Sequence, residues 1–143
     1  NAFKNGDLDK VRDEVSEGTS MGIEEGKVVK WIIESAALTS DQVADLTSLI
    51  RDVVIETVGE QKASDVFVKT STGFYKPEDG GPGGATVDDV SIMSINSGPL
   101  KVKASGGIYS REDLEKMVDA GASRIGTSAG LEIIRGEKAD TDY

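Results

Sequence analysis

The chain reads as an α/β protein built on a parallel sheet, and three observations carry that reading. Short apolar runs alternate with helix-length segments along the whole chain, the order expected when each strand is followed by a crossover helix. One run, Val66-Phe67-Val68, is apolar at every position, as in a strand covered on both faces. The helical segments open on Thr39, Thr86 and Ser110, hydroxyl residues of the kind that cap helix N-termini.

Residues 7–15 are polar, with Leu8, Val11 and Val15 at helical spacing, and read as the helix of a βα unit whose strand lies upstream. Residues 16–26 are rich in Gly, Ser and Glu and fit either a weak helix or a loop. A strand is expected over 28–35. Thr39 then starts a helix, with Gln42 placed for a capping box and Val43, Leu46, Ile50, Val53 and Val54 on one face. The strand ending at Lys69 follows, then a long loop over 74–84. Thr86 caps the next helix, with Asp89 at its third position and Val90 and Met93 facing inward. A strand over 100–108 leads to the helix capped by Ser110, with Leu114, Met117 and Val118 as its apolar residues and Gly121 as its stop. The last strand, 123–128, leads into a short helix over 129–134, and 139–143 is a polar tail. The length suits a single domain over 1–143.

Composition narrows the chemistry. The 143 residues contain neither cysteine nor histidine. That excludes disulfides, thiolate metal sites, cysteine nucleophiles and Ser-His chemistry. Acid–base work falls to carboxylates, lysine, tyrosine or water. The net charge of −10 argues against a nucleic-acid partner. An anionic ligand would need local, directed contacts. With no membrane-spanning apolar run and no signal-peptide pattern, a soluble cytoplasmic protein is expected.

Lys69 stands at the end of an apolar strand, before Thr70-Ser71-Thr72-Gly73. Desolvation there would favour the neutral amine, a nucleophile; the other reading is a lysine whose stem lies on apolar surface while its head reaches water. Lys103 repeats the design, ahead of Ala104-Ser105-Gly106-Gly107. On neighbouring parallel strands the two ammonium groups would repel each other, lowering at least one pKa, which puts the catalytic reading ahead. Gly106-Gly107 and Gly126-Thr127-Ser128 close successive strands, the second just before a helix. Glycines at strand ends are commonly turn residues, but two such ends in succession suit a phosphate held by backbone N–H groups.

These motifs match a family. Lys-Thr-Ser-Thr-Gly-Phe (69–74), Gly-Ala-Thr (84–86), Lys-Ala-Ser-Gly-Gly-Ile (103–108) and Arg-Ile-Gly-Thr-Ser (124–128), in that order and spacing, resemble deoxyribose-phosphate aldolase. The resemblance covers almost the whole chain and implies strands five to eight, with their helices, of a (β/α)8 TIM barrel. It implies a class I aldolase without metal or other cofactor, which splits 2-deoxy-D-ribose 5-phosphate into acetaldehyde and glyceraldehyde 3-phosphate. Lys69 would form the Schiff base and Lys103 would assist proton transfer. Thr72 would line the site, and Gly106, Gly107, Gly126 and Ser128 would hold the phosphate. Tyr143 resembles a C-terminal tyrosine that some members fold over the site; an ordinary chain terminus is the other reading.

Three departures stand out. The family's catalytic aspartate would precede Asn1, Tyr109 stands where many members have arginine, and the loop over 75–83 is long. Four strands cannot close a barrel. The chain is therefore expected to be a fragment, to pair with a half supplying the other strands, or to self-associate; the full enzyme is expected to be a homo-oligomer. The competing function is a half-barrel that binds a phosphorylated ligand or a partner chain without turnover. Another lysine-dependent aldolase is the nearer rival.

Overall fold

A computed structural model of the chain describes residues 2–78 and 80–137. Four parallel strands form one sheet in the order β1 (Val29–Ile32), β2 (Val66–Lys69), β3 (Lys101–Ser105) and β4 (Arg124–Gly126). Helices α1 (Leu8–Glu24), α2 (Ser40–Ala63), α3 (Val87–Asn96), α4 (Arg111–Asp119) and α5 (Gly130–Arg135) alternate with them. Single 3-10 turns occupy Phe3–Asn5 and Ser35–Ala37. Among the described residues no helix is long and apolar enough to cross a membrane.

The three expected caps form. Thr39 and Gln42 make a reciprocal capping box, as do Ser110 and Asp113, and the Thr86 hydroxyl accepts from the Asp89 amide at 3.1 Å. Each satisfies N–H groups that have no partner within the helix.

Residues 16–24, undecided in sequence, continue α1. Their glycines are contact points, since a Cβ at Gly18 would stand 2.7 Å from Trp31 Cη2 and one at Gly22 would stand 2.4 Å from Val29 Cγ2. Between them Thr19 is fully buried and accepts a 3.0 Å hydrogen bond from Trp31 Nε1. The helix therefore lies directly on β1.

Two expectations need correction, and one helix is kinked. The first strand ends at Ile32 because Glu34 turns into the left-handed region at φ 53°. The Ile33 and Ser35 amides still donate to the carbonyls of Lys69 and Thr70, at 3.0 and 2.8 Å. Helix α2 breaks at Gly59, which takes φ 79° and ψ 158°. Val118 is 48% exposed: of its helix's apolar residues, Met117 is buried and Leu114 packs against the core.

The two sheet faces differ sharply. Val66, Val68, Val102 and Ala104 belong to the buried core with Val43, Val54, Val90 and Met93 of the helices. Alternation sends Lys30, Ile32, Phe67, Lys69, Lys101, Lys103 and Arg124 to the other face. Register lines up Ile32, Lys69, Lys103 and Arg124 in one row across the sheet. Among the described residues no helix covers this face: Ile32 is 44% exposed, and β1 and β4 each pair on one side only. Phe67 is nonetheless buried, with the Arg124 guanidinium 4.5 Å and the Lys101 ammonium 5.7 Å from its ring centroid. One face covered by helices and one open is the form of half a barrel.

Candidate active site

The carboxyl ends of β2, β3 and β4 surround a cavity of about 680 Å³. Parallel α/β folds place their ligands at this end of the sheet, where the loops leave the strands. Lys69, Thr72, Lys103, Gly106, Gly107, Gly126 and Ser128 all line it, so those residues marked in sequence come together. Tyr143 lies outside the described residues.

The two lysines are placed by a parallel register that pairs Lys69 with Lys103. Buried hydroxyls lock that register. Thr70 Oγ1 accepts from the Ser105 amide at 3.0 Å and donates to the Ser105 carbonyl at 3.1 Å, while Ser71 Oγ donates to the same carbonyl at 2.7 Å. Thr70 and Ser71 are fully buried, so these bonds are shielded from water and costly to lose. The sequence motif includes Thr70 and Ser71 but assigns them no role. Their role depends on partners 34 and 35 residues away.

The lowered lysine pKa falls on Lys103. Burial, and then the positive charges of Lys69, Lys30 and Arg124, hold it below 10.5. Among the described residues none of these four cations pairs with a carboxylate.

The Gly106-Gly107 turn forms the upper wall. Both residues have positive φ, 82° and 75°, which a side chain would strain. The loop that follows β2 returns against this turn. A Cβ at Gly84 would stand 2.4 Å from the Gly106 carbonyl carbon, and the Ala85 amide donates to the carbonyls of Ser105 and Gly106, both at 3.0 Å. The expected helix N-terminus beside Ser128 is slight. Helix α5 has six residues and its Ala129 N-cap makes no side-chain hydrogen bond, so any anion here must rely on loop amides and side chains.

The structure adds residues that the sequence did not assign to the site. Phe74, Lys76, Ser105, Ile108, Tyr109 and Thr127 also line the cavity. Thr127 Oγ1 donates to the Ile108 carbonyl at 2.7 Å, joining the two strand-end loops. Glu34 accepts from the Thr72 amide with both carboxylate oxygens, at 3.1 and 3.2 Å, and from the Thr72 hydroxyl. It is the one non-glycine residue with positive φ among those described. A second cavity, of about 390 Å³, lies at the β1 edge, lined by Phe3, Trp31, Ile32 and Leu38. Tyr75 faces that cavity while Phe74 and Lys76 face the first, so the long loop straddles both.

Comparison with known proteins agrees with this arrangement. No protein-family model matches the chain. It is 43% identical over 143 residues to the deoxyribose-phosphate aldolase of Staphylococcus haemolyticus, and 41% to that of Staphylococcus epidermidis. Each match covers 99% of this chain and 57% of the relative. Among solved structures, the aldolase QR15 superposes with a TM-score of 0.71 at 34% identity, covering 94% of this chain and 53% of that one. The tetrameric deoxyribose-phosphate aldolase of Aeropyrum pernix gives 0.68 at 31% identity, covering 90% and 49%. The chain is thus similar along nearly its whole length to deoxyribose-phosphate aldolases, spans little more than half of one, and carries half of a TIM barrel similar to theirs.

Proposed function

We propose that this chain carries the imine-forming half of a class I aldolase that reversibly cleaves 2-deoxy-D-ribose 5-phosphate to acetaldehyde and glyceraldehyde 3-phosphate. The observation that carries the proposal is the pairing of Lys69 with Lys103 in the wall of one cavity. The neutral Lys69 amine adds to the substrate's aldehyde carbon, and loss of water leaves the protonated imine. The imine accepts the electron pair released as the bond between the second and third carbons breaks. The third carbon's hydroxyl gives up its proton and becomes the aldehyde of the three-carbon product. Protonation of the enamine and hydrolysis then release acetaldehyde and restore Lys69. A lowered pKa gives Lys103 a larger neutral fraction with which to take up that hydroxyl proton.

Thr72 lines the imine end, and Gly106, Gly107, Gly126 and Ser128 hold the phosphate. On this reading the enzyme serves cytoplasmic deoxyribonucleotide catabolism, as a homo-oligomer when whole. The uncovered sheet face calls for a partner, the remaining half-barrel, whose strands cover Ile32 and whose carboxylates offset the row of cations.

Borohydride trapping with acetaldehyde, followed by peptide mapping, tests the proposal. The expected adduct is on Lys69 and is lost in Lys69→Ala. A folded sample that gives no adduct refutes turnover by this chain and leaves a half-barrel that only binds.

A further inference from the structure

Ser105 follows Lys103 by two residues on β3, so both side chains leave the strand on the same face. Its backbone is held from three directions: the carbonyl accepts from Thr70, Ser71 and the Ala85 amide, and the amide donates to Thr70. The side chain has no such anchor. Ser105 is 6% exposed, it lines the cavity, and its hydroxyl has no hydrogen-bond partner among the described residues. A buried hydroxyl without a partner destabilises a fold by about 1–3 kcal/mol. Thr47 is the other such group, but it sits on α2 and does not line the cavity. Ser105 Oγ and the Lys103 side chain also converge, because both fall within contact distance of a Cβ built on Gly126.

Position along the strand suggests the missing partner. Ser105 stands between Lys103, level with Lys69, and the Gly106-Gly107 turn. On the aldolase reading, these are the imine end and the phosphate end. We infer that Ser105 is a further substrate-binding residue, whose hydroxyl hydrogen-bonds one of the substrate hydroxyls lying between the imine carbon and the phosphate. The fixed backbone presents the group ready for use, and the cost of its empty valence is recovered when the substrate arrives. The inference rests on the proposed function.

Ser105→Ala tests it, because a binding role and a structural role move stability and labelling in different directions. Removing an unpaired buried hydroxyl should leave the melting temperature unchanged or higher. The variant should lose preference for the sugar phosphate. The ratio of Lys69 labelling by 2-deoxyribose 5-phosphate to labelling by acetaldehyde, which lacks those hydroxyls, should fall about tenfold, the loss of one hydrogen bond. Ser105→Cys, of similar shape and weaker hydrogen bonding, should fall between. An unchanged ratio, or an equal loss with both aldehydes, overturns the inference alone. A lower melting temperature also overturns it, by showing that the hydroxyl serves the fold. Absence of any acetaldehyde adduct in the unsubstituted chain removes the aldolase reading, and this inference with it.

Discussion

Gly126→Ala probes how closely the cavity floor is fitted. A Cβ at this position would stand 2.4 Å from Ser105 Oγ, 2.9 Å from Lys103 Cε and 3.3 Å from Lys103 Nζ. Gly126 does not have positive φ, so the backbone accepts alanine and the effect is steric. Neither neighbour yields without consequence. The Ser105 backbone is bound to Thr70 and Ser71, which leaves only rotation of its hydroxyl. The end of Lys103 can swing, but only by leaving its present place beside Gly126. Overpacking of this kind costs about 1–3 kcal/mol. For a chain of this length that is a fall of roughly 3–10 °C in melting temperature. The lysine shift has its own signature. Displacing Lys103 alters its burial and its distances from Lys69, Lys30 and Arg124, which together hold its pKa below 10.5, so its titration should move. Thermal unfolding reads the first effect, and NMR titration of the Lys103 Cε methylene reads the second. Adding Ser105→Ala should restore part of the lost stability. An alanine variant with the original melting temperature and an unmoved Lys103 titration would falsify the close-packed floor.

Further outcomes follow from the same geometry. Removing single cations should raise the Lys103 pKa in the order Lys69→Met, Lys30→Met, Arg124→Met; equal shifts would contradict the ranking of these charges. Because the folded-state pKa of Lys103 is lowered, the unfolded chain holds more protons between that value and 10.5, so stability should rise with pH across this window. Lys103→Met should flatten that rise, as read by denaturant unfolding at several pH values. Gly18→Ala would ordinarily strengthen a helix by about 1 kcal/mol, yet here its Cβ meets the Trp31 ring, so a net loss of about 1–3 kcal/mol is expected by chemical denaturation. Glu34→Ala should slow imine trapping by freeing Thr72, and Glu34→Gly, relieved of the left-handed strain, should be about 1 kcal/mol more stable than Glu34→Ala. The reverse order would show that the backbone at Glu34 is unstrained.

Much of this protein is written locally. Thr39 with Gln42 and Ser110 with Asp113 start their helices through bonds spanning three residues, so short windows of sequence suffice to find them. Val66-Phe67-Val68 declares its strand in the same way. The lysines at the ends of successive strands, with glycines beyond, were legible because each motif is contiguous. Alternation of strand and helix then brings them to one end of the sheet.

Tertiary structure decided what depends on distant neighbours. Gly18 and Gly22 look like helix breakers until Trp31 and Val29 pack against them. Glu34 looks like a strand residue until Thr72, 38 positions on, binds its carboxylate across a left-handed turn. Repulsion between lysines was expected, but only the packed surroundings, through burial first and then the charges of Lys69, Lys30 and Arg124, assigned the lowered pKa to Lys103. The unpaired hydroxyl of Ser105 is invisible to any pattern, because a missing partner is a property of the packed surroundings. Local propensity and periodicity set the elements, whereas burial, charge and hydrogen-bond satisfaction are sums over neighbours that only the fold assembles.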